Sequence, residues 1–271
     1  MAQIDRSRVR RAFSCGAEAY DDLAVVQQRV IARFLESCLP SGIEPSSLLD
    51  VGAGTGRLLE KLSWRFPGAF AVGVDMAEGM ARSAAARFAG GENTALLCAD
   101  GESLPFRGGS FDLVVSTSTY QWLSPLDAAF GEALRILRPG GLFCFAMFGE
   151  ATLFELKDSY RSALRLHGCE DTDKSHAFAS SADVASALGR AGFSAVTVAS
   201  ELEVELHGDV PAMLRALKGI GAQNASAGPG RGLGGRRVTA SMIDLYGEKY
   251  GGADGVPATY EVIYAAGTRR Q

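Results

Sequence analysis

Three glycines, Gly52, Gly54 and Gly56, follow the apolar run 47–51 and precede the helical pattern 57–66. Glycine lets a backbone approach a ligand closely, and a helix that begins there presents unpaired N–H groups. The spacing differs from the dinucleotide fingerprint, in which the third glycine comes later and a pyrophosphate binds at the helix N-terminus. The segment therefore predicts a nucleotide-cofactor site and disfavours NAD and FAD.

Acidic residues end two later apolar runs. Asp75 follows the glycines at about the distance at which a carboxylate bonds a ribose diol. Asp100, followed by Gly101 and Glu102, ends the next run, where a carboxylate suits an adenine amino group. A cofactor with ribose and adenine but no phosphates, held by an acidic rim, matches S-adenosylmethionine, whose sulfonium and ammonium groups are both positive.

Strands that end beside these residues must position them. Hydrophobic patterning predicts alternating strands and helices, an order that builds a parallel sheet with helices on both faces. The carboxyl ends of parallel strands lie along one edge, so the glycines and acids are brought together. The predicted strands are 47–51, 70–74, 95–98, 113–116, 142–147, 194–206 and 260–266, and the predicted helices are 5–17, 23–39, 57–66, 77–88, 126–137 and 183–191.

Length and composition predict a single α/β domain over residues 1–271. With 47% hydrophobic residues, a chain of this length can bury a full core. Segments 149–181 and 208–257 are additions at positions where active-site covers are expected. The second contains the glycine-rich stretch 227–235, which is either a flexible surface loop or a lid. The predicted parts are a helical cap (1–45), a cofactor-binding core (46–148), the two insertions and a last strand (258–267).

Five motifs agree in order with one family. Residues 51–56 resemble the first motif of the class I S-adenosylmethionine-dependent methyltransferases, Asp75 their ribose acid and Asp100 their adenine-side acid. Residues 111–116 resemble the strand opposite the methyl group, and residues 137–141 resemble the turn before the next strand. One glycine-rich loop would be weak support, but five ordered motifs identify the chain as a member of this family.

The resemblance implies a Rossmann-like, seven-stranded, mostly parallel sheet with an antiparallel last strand, and an N-terminal helical cap and insertions over the active site. It also implies S-adenosylmethionine as the cofactor. Metal is not expected, because the five cysteines are scattered and have the character of reduced, apolar side chains. The implied cofactor-binding residues are Asp50, Gly52, Ala53, Gly54, Asp75, Met76, Met80, Asp100, Gly101, Glu102 and Ser116.

Aromatic residues are the candidates for acceptor contacts. Residues 13–21 resemble the opening of several small-molecule methyltransferases, in which the tyrosine lies near the transferred methyl, so Tyr20 is the first candidate. Its alternative role is a core aromatic that seals the cap. Gln121 and Trp122 follow the fourth strand at its ligand-facing end, although Trp122 could equally be a packing residue. With Phe148, Tyr20 and Trp122 would form an apolar cage.

A narrower resemblance extends over nearly the whole chain. Segments 20–21, 121–123, 153–156, 214–221 and 260–264 resemble the malonyl-acyl-carrier-protein O-methyltransferases of biotin synthesis. That family implies esterification of the free carboxylate of a malonyl thioester on acyl-carrier protein. A carboxylate with a pKa of about 4 is an anion at neutral pH, so it attacks a methyl group without a general base.

A cation or hydroxyl must hold the second carboxylate oxygen against its desolvation cost. The resemblance favours Lys218, which completes the predicted catalytic set with Tyr20, Gln121 and Trp122. An acidic carrier protein would be met by a cationic surface. The other candidates for the carboxylate are Arg33, Arg231 and Arg236, and those for the carrier surface are Arg8, Arg11, Arg236 and Arg237.

Net charge and hydropathy restrict the other functions. A net charge of −4 disfavours a general affinity for nucleic acid. We find no signal-peptide pattern and no run long enough to span a bilayer, so a cytoplasmic protein is expected. A quinone precursor or another small acid stays an alternative acceptor, although attack by carbon or phenol needs a base and His167, His176 and His207 lie outside the motifs. A non-catalytic binding scaffold is a second alternative, disfavoured by the intact cofactor motifs.

Overall fold

A computed structural model describes residues 5–89, 93–169, 177–221 and 233–271. Its centre is one sheet of seven strands in the order β3-β2-β1-β4-β5-β7-β6. Strands β1 to β5 run parallel, and β7 lies between β5 and β6 and is antiparallel to both. The predicted sheet and its antiparallel last strand are confirmed. The strands are β1 Ser47–Val51, β2 Phe70–Asp75, β3 Thr94–Cys98, β4 Phe111–Thr117, β5 Leu137–Phe148, β6 Ser194–His207 and β7 Val256–Thr268.

Helices cover both faces of the sheet because side chains of each central strand alternate between two cores. Leu48 and Leu113 belong to one core, and Leu49 and Val114 belong to the other. The first core takes in α2, α3, α6, α8 and α9, and the second takes in α5 and α7. The helices are α1 Arg6–Leu23, α2 Val25–Ser37, α3 Arg57–Arg65, α4 Glu78–Arg87, α5 Leu126–Ile136, α6 Phe154–Leu166, α7 Ser181–Ala191, α8 Val210–Gly219 and α9 Leu233–Tyr250.

Helix α1 lies over the carboxyl ends of the strands because glycines let it pack closely on its neighbours. A Cβ atom added to Gly79 of α4 would overlap the Ser14 carbonyl oxygen of α1. A Cβ atom added to Gly16 of α1 would lie 2.8 Å from the Gly219 carbonyl oxygen of α8, closer than real Cβ contacts. These backbone contacts fix the height of α1 above the sheet.

Helices occupy much of the inserted segments. Helix α9 begins at Leu233, inside the stretch 227–235 that its glycines marked as a loop, and residues 222–232 lie outside the described residues. The reason is tertiary: Val238, Met242 and Tyr246 recur every four residues and are buried in the first core, and such burial outweighs the poor helix propensity of glycine. Among the described helices, none has the length and apolar composition that crossing a bilayer requires.

Candidate active site

The ends of β1, β2 and β4 surround a cavity of about 670 Å³, which we call the strand-end cavity. Gly52, Gly54 and Asp75 form part of its floor, and Phe13 and Tyr20 of α1 contribute to its cover. Gly54 has φ of +55° and no atom within 4 Å of an added Cβ, so the turn leaves open space at this point. Other predicted cofactor residues in the lining are Met76, Met80 and Gly101.

Asp75 is oriented by two backbone donors. The N–H of Gly54 donates to one carboxylate oxygen at 2.9 Å, and the N–H of Ala77 donates to the other at 2.7 Å. Burial raises the pKa of Asp75 above its usual value, while these two hydrogen bonds oppose that rise. The carboxylate therefore has a fixed position in the lining of the cavity, as a group that binds a ribose diol requires.

A second cavity of about 430 Å³, the Asp50 cavity, shares Gly52 and Gly54 with the first and is also lined by Ala53. Asp50 is 1% exposed, and within the described part of the chain neither of its carboxylate oxygens has a hydrogen-bond partner. Burial, with a smaller contribution from the charge of Asp75, raises the pKa of Asp50 to about 8. A buried carboxylate without a partner suits a ligand cation, so the site fits the ammonium group of S-adenosylmethionine.

The two acids predicted for the adenine side have a partner from the cap. Arg6 of α1 forms ion pairs with Asp100 and with Glu102, the second at 2.7 Å. Partial burial opposes ionisation of Asp100, but the Arg6 guanidinium and the Glu102 N–H hold its pKa below the usual value. The structure thus links the end of β3 to α1 at the position where the sequence predicts an adenine contact.

Two serines at the end of β4 lie in different surroundings. Ser116 is buried and donates to the Val51 carbonyl at 2.7 Å, so in this structure its hydroxyl ties β4 to β1. Ser118, two residues later, has φ of +55° and lines both the strand-end cavity and the Asp50 cavity. Ser118 belongs to the polar run 116–119 at the ligand-facing end of β4, and this run is the sequence feature from which its place in the lining could have been predicted.

A third cavity of about 470 Å³, the aromatic cavity, adjoins the other two. The ring of Phe13 packs edge-on against Trp122, with 5.9 Å between centroids, and against Tyr20, with 6.3 Å. Of the described residues in its lining, none carries a formal charge. The aromatic members are Phe13, Tyr20, Trp122, Phe148, Phe178 and Tyr260, and the members with amide or aliphatic hydroxyl groups are Gln27, Ser118, Gln121 and Thr152.

Tyr20 and Ser118 line all three cavities and therefore mark the place where they meet. Burial, reinforced by the charges of Asp75 and Asp21, raises the pKa of Tyr20 well above its usual value. The phenol is therefore neutral at physiological pH, a form that can donate a hydrogen bond and is unsuited to act as a base. A methyl donor in the first two cavities would meet an acceptor in the third beside these two residues.

The predicted catalytic residues are only partly brought together. Gln121 and Trp122 line the aromatic cavity, and the Gln121 amide nitrogen donates to the Ser118 carbonyl at 2.7 Å. Lys218 lies on the exposed face of α8, which presents Leu217 and Ile220 to the cavity instead. Successive helical residues point about 100° apart, so Lys218 cannot share the face of Leu217.

The other cation candidates also lie elsewhere. Arg33 of α2 pairs with Glu201 of β6, and Arg236 is exposed on α9. Arg231 lies outside the described residues. Sequence reasoning missed Gln27, Thr152 and Phe178, which come from three distant segments without a local motif.

Comparison with known proteins agrees with this geometry. Residues 49–145 match the model of a family described as a methyltransferase domain. A malonyl-[acyl-carrier protein] O-methyltransferase of Geobacter sulfurreducens is 52% identical over 98% of this chain and 100% of its own length. One of the same name from Gallionella capsiferriformans is 36% identical over 96% of this chain and 90% of its own length.

Two solved structures share the fold. The YcgJ protein of Bacillus subtilis has a TM-score of 0.61 at 18% identity, over 90% of this chain and 99% of its own. The phosphoethanolamine N-methyltransferase 2 of Haemonchus contortus, solved with S-adenosyl-L-methionine, has a TM-score of 0.58 at 21% identity, over 95% of this chain and 57% of its own.

Site chemistry and relatives lead to the same conclusion. Asp50, which is buried, and Asp75, which is half-buried, provide acids where a cationic nucleoside fits, and the family acts through S-adenosylmethionine, which is the cofactor of this enzyme. At 52% identity over nearly the full length of both chains, the narrower relationship is also shown. The chain belongs to the malonyl-[acyl-carrier protein] O-methyltransferase family of S-adenosylmethionine-dependent methyltransferases.

Proposed function

We propose that the enzyme methylates the free carboxylate of a malonyl thioester on acyl-carrier protein, as an early step of biotin synthesis. Its relatives with that name span the chain almost from end to end. The observation that carries the proposal is the aromatic cavity, whose described lining is uncharged and which meets the other cavities at Tyr20 and Ser118.

This environment suits an acceptor that arrives as an anion. S-adenosylmethionine, when bound, supplies a methyl group on a positively charged sulfonium. A carboxylate with a pKa of about 4 already carries the electron pair it needs. Attack joins an anion to a cation and disperses both charges, so apolar walls that exclude water favour the reaction. The aromatic side chains provide those walls.

A neutral donor takes the place of the predicted cation. Tyr20 is held in its protonated form and lines the aromatic cavity. A hydrogen bond from such a group offsets part of the desolvation cost of a carboxylate and orients it. Since positioning then supplies the catalysis, we infer no general base.

The positions of the histidines support an acceptor that is already ionised. His167 contacts the Ser241 hydroxyl at 3.0 Å, and His207 lies beside Glu205 at the end of β6. Among the described lining residues of the aromatic cavity there is no histidine, and His176 lies outside the described residues. A quinone-type acceptor, which needs a base, is therefore less well supported.

The carrier protein would dock on cations around the cap. Arg8 and Arg11 are exposed on α1, and Arg236 and Arg237 are exposed on α9. Helix α8 contacts both α1 and α9, which places these cations on neighbouring elements. Complementary charge speeds encounter with an acidic partner.

Methyl transfer from labelled S-adenosylmethionine tests the proposal. The acceptors are malonyl-acyl-carrier protein, malonyl-coenzyme A and free malonate, with acetyl-acyl-carrier protein as the matched control that lacks the free carboxylate. We expect ester formation on the malonyl carrier and none on the acetyl carrier. Methylation of neither malonyl thioester would contradict the proposal and direct the search to quinone precursors and other small acids.

Charge reversal tests the docking surface separately. Arg8→Glu, Arg11→Glu, Arg236→Glu and Arg237→Glu are expected to lower kcat/KM for the malonyl carrier by about tenfold in combination. Turnover of malonyl-N-acetylcysteamine, a small thioester that keeps the malonyl carboxylate and lacks the carrier protein, is the control and should stay within about twofold. Unchanged turnover of the malonyl carrier would show that these arginines do not form the docking surface.

A further inference from the structure

A larger cavity of about 1,480 Å³ lies beside the aromatic cavity, on the side of α5 and α7. We call it the Tyr120 cavity. The two cavities share Gln121, Trp122 and Phe178, so they are separated by a wall of these side chains. A group held here would reach the acceptor position only past Trp122 and Phe178.

The lining suits a long and mostly neutral ligand. Its charged members are already compensated: Arg190 pairs with Asp127 at 2.8 Å, Arg6 pairs with Asp100 and Glu102, and Asp183 accepts hydrogen bonds from Ser180. The apolar members include Leu123, Leu126, Met147, Ala177, Ala179 and Ala187. A ligand with a free charge finds no uncompensated partner among these described side chains.

Tyr120 is one of the residues that line this cavity, and its hydroxyl is buried. The residue is fully buried, with its ring packed against Phe130, Phe143 and Phe145. Its hydroxyl has no hydrogen-bond partner within the described part of the chain. Buried hydroxyls are almost always hydrogen-bonded, so this one is available to a polar group of a ligand once occupation of the cavity uncovers it.

We propose that the Tyr120 cavity holds the pantetheine arm of the carrier protein, with the arm passing Trp122 and Phe178 to place the malonyl group in the aromatic cavity. The inference rests on the proposed function. The arm is a flexible chain with two amides, a gem-dimethyl group and a terminal thioester. Its amides match the Tyr120 hydroxyl and the polar side chains of Gln121 and Ser124, and its hydrocarbon matches the apolar lining.

Filling the cavity tests the proposal. Ala177 is exposed, lines the Tyr120 cavity and does not line the aromatic cavity, so Ala177→Trp obstructs the first without entering the second. Ala182→Trp is the matched control, because Ala182 is exposed on α7 and lines neither cavity. Each variant is assayed with malonyl-acyl-carrier protein and with malonyl-N-acetylcysteamine, which lacks most of the arm.

We expect Ala177→Trp to lower kcat/KM for the malonyl carrier by about tenfold or more, and to leave the short thioester within about twofold. Ala182→Trp should leave both within about twofold. Tyr120→Phe should raise KM for the carrier substrate alone, by about threefold, as expected for one lost hydrogen bond.

Unchanged carrier turnover in Ala177→Trp would overturn the proposal. An equal loss on both substrates would also overturn it, because the substitution would then act through the aromatic cavity. If the unmodified enzyme methylates neither malonyl substrate, the proposed function itself has failed, and that result is distinct from the loss of carrier selectivity in the variant.

Discussion

The two halves of the active site are built in different ways. The cofactor half consists of acids and glycines in turns that directly follow β1, β2 and β3, all within one stretch of the chain. The acceptor half is assembled from α1, α2, the turn after β4, the end of β5 and the turn that follows it, the end of α8, β7 and the segment that contains Phe178. The first half contains acids and is shaped largely by backbone turns, whereas the second is aromatic, without charged residues in its described lining, and shaped by side chains. Binding of the cofactor and selection of the acceptor should therefore respond to different substitutions.

The largest effect is expected on the cofactor half from Asp75→Ala. The variant loses a carboxylate that is held by two backbone donors, lines the strand-end cavity and is predicted to bind the ribose. Two charge-assisted hydrogen bonds are worth about 1.5–3 kcal/mol each, so the Kd for S-adenosylmethionine should rise by about 100-fold or more. Calorimetric titration measures this, with Asp244→Ala on the exposed face of α9 as the control. Normal affinity in Asp75→Ala would show that Asp75 is not the ribose acid.

Tyr20→Phe should separate the two halves. The change removes one hydroxyl at the point where the cavities meet and retains the ring that packs on Phe13. We expect the Kd for S-adenosylmethionine to stay within about twofold, while kcat falls by about tenfold because a positioned donor is lost. Stopped-flow and steady-state kinetics provide both values. Tyr250→Phe, which removes a hydroxyl bonded to Asp158 away from the cavities, is the control; an equal effect in both variants would contradict a specific role for Tyr20.

Asp50 should make cofactor binding depend on pH. With a pKa of about 8, its carboxyl is mostly protonated at pH 7 before a ligand cation arrives. Pairing with the ammonium requires the ionised form, so binding at pH 7 should release about one proton, and affinity should rise by up to about tenfold per pH unit between 6 and 8. Calorimetry in buffers of different ionisation enthalpy counts the proton. Asp50→Asn should release none and show no such slope.

The same group predicts the opposite trend for stability without ligand. Its folded pKa lies above the unfolded value of about 3.9, so the unfolded chain binds fewer protons between these two values. The free energy of unfolding should therefore fall as pH rises from about 4 to about 8. Denaturant melts of Asp50→Asn should lack this contribution, and identical pH profiles for both proteins would show that Asp50 is not desolvated.

The smallest effect is expected from Arg6→Ala. The ion pairs of Arg6 are partly exposed, with 31% of its side chain accessible, and such pairs contribute about 0–1 kcal/mol. The midpoint of thermal unfolding should shift by a few degrees at most, while the dissociation rate of S-adenosylmethionine rises by about two- to fivefold because α1 is less firmly held. Arg82→Ala, which breaks the exposed pair with Glu78, is the control for dissociation. Equal dissociation rates in the two variants would contradict a role for Arg6 in holding the cap.

The same contrast explains what the sequence could predict. The confirmed sheet and cofactor rest on local signals: an apolar strand predicts where its following turn will lie, so Gly54 and Asp75 could be placed before any contact was known. It was harder to predict whether Ser116 or Ser118 lines a cavity, because the answer depends on the residue at which β4 ends. The acceptor half was harder to predict, as Lys218 illustrates. Lys218 is exposed to solvent, whereas Leu217, one position earlier on α8, lines the aromatic cavity. Its assignment and those of the other site residues stay predictions.

Contacts between segments that are far apart in the chain could not be predicted from the sequence. Arg6 bonds Asp100 across 94 positions of chain, and no motif joins them. Phe178, Thr152 and Gln27 reach the aromatic cavity through the packing of separate segments. These residues meet because of the way the helices pack on the sheet. The spacing of residues within a single segment does not predict which segments will meet.

The close contacts of α1 have a consequence for the choice of homologues and engineered variants. Gly16 and Gly79 line none of the three cavities, yet each lacks the methyl group that would collide with backbone across its helix contact. A sequence with alanine at either position could retain all the cavity-lining residues and still have α1 displaced from the sheet, carrying Phe13 and Tyr20 with it. Any search for active relatives that scores only residues touching ligands would therefore accept inactive chains. Two positions with no side chain belong in the signature of this site.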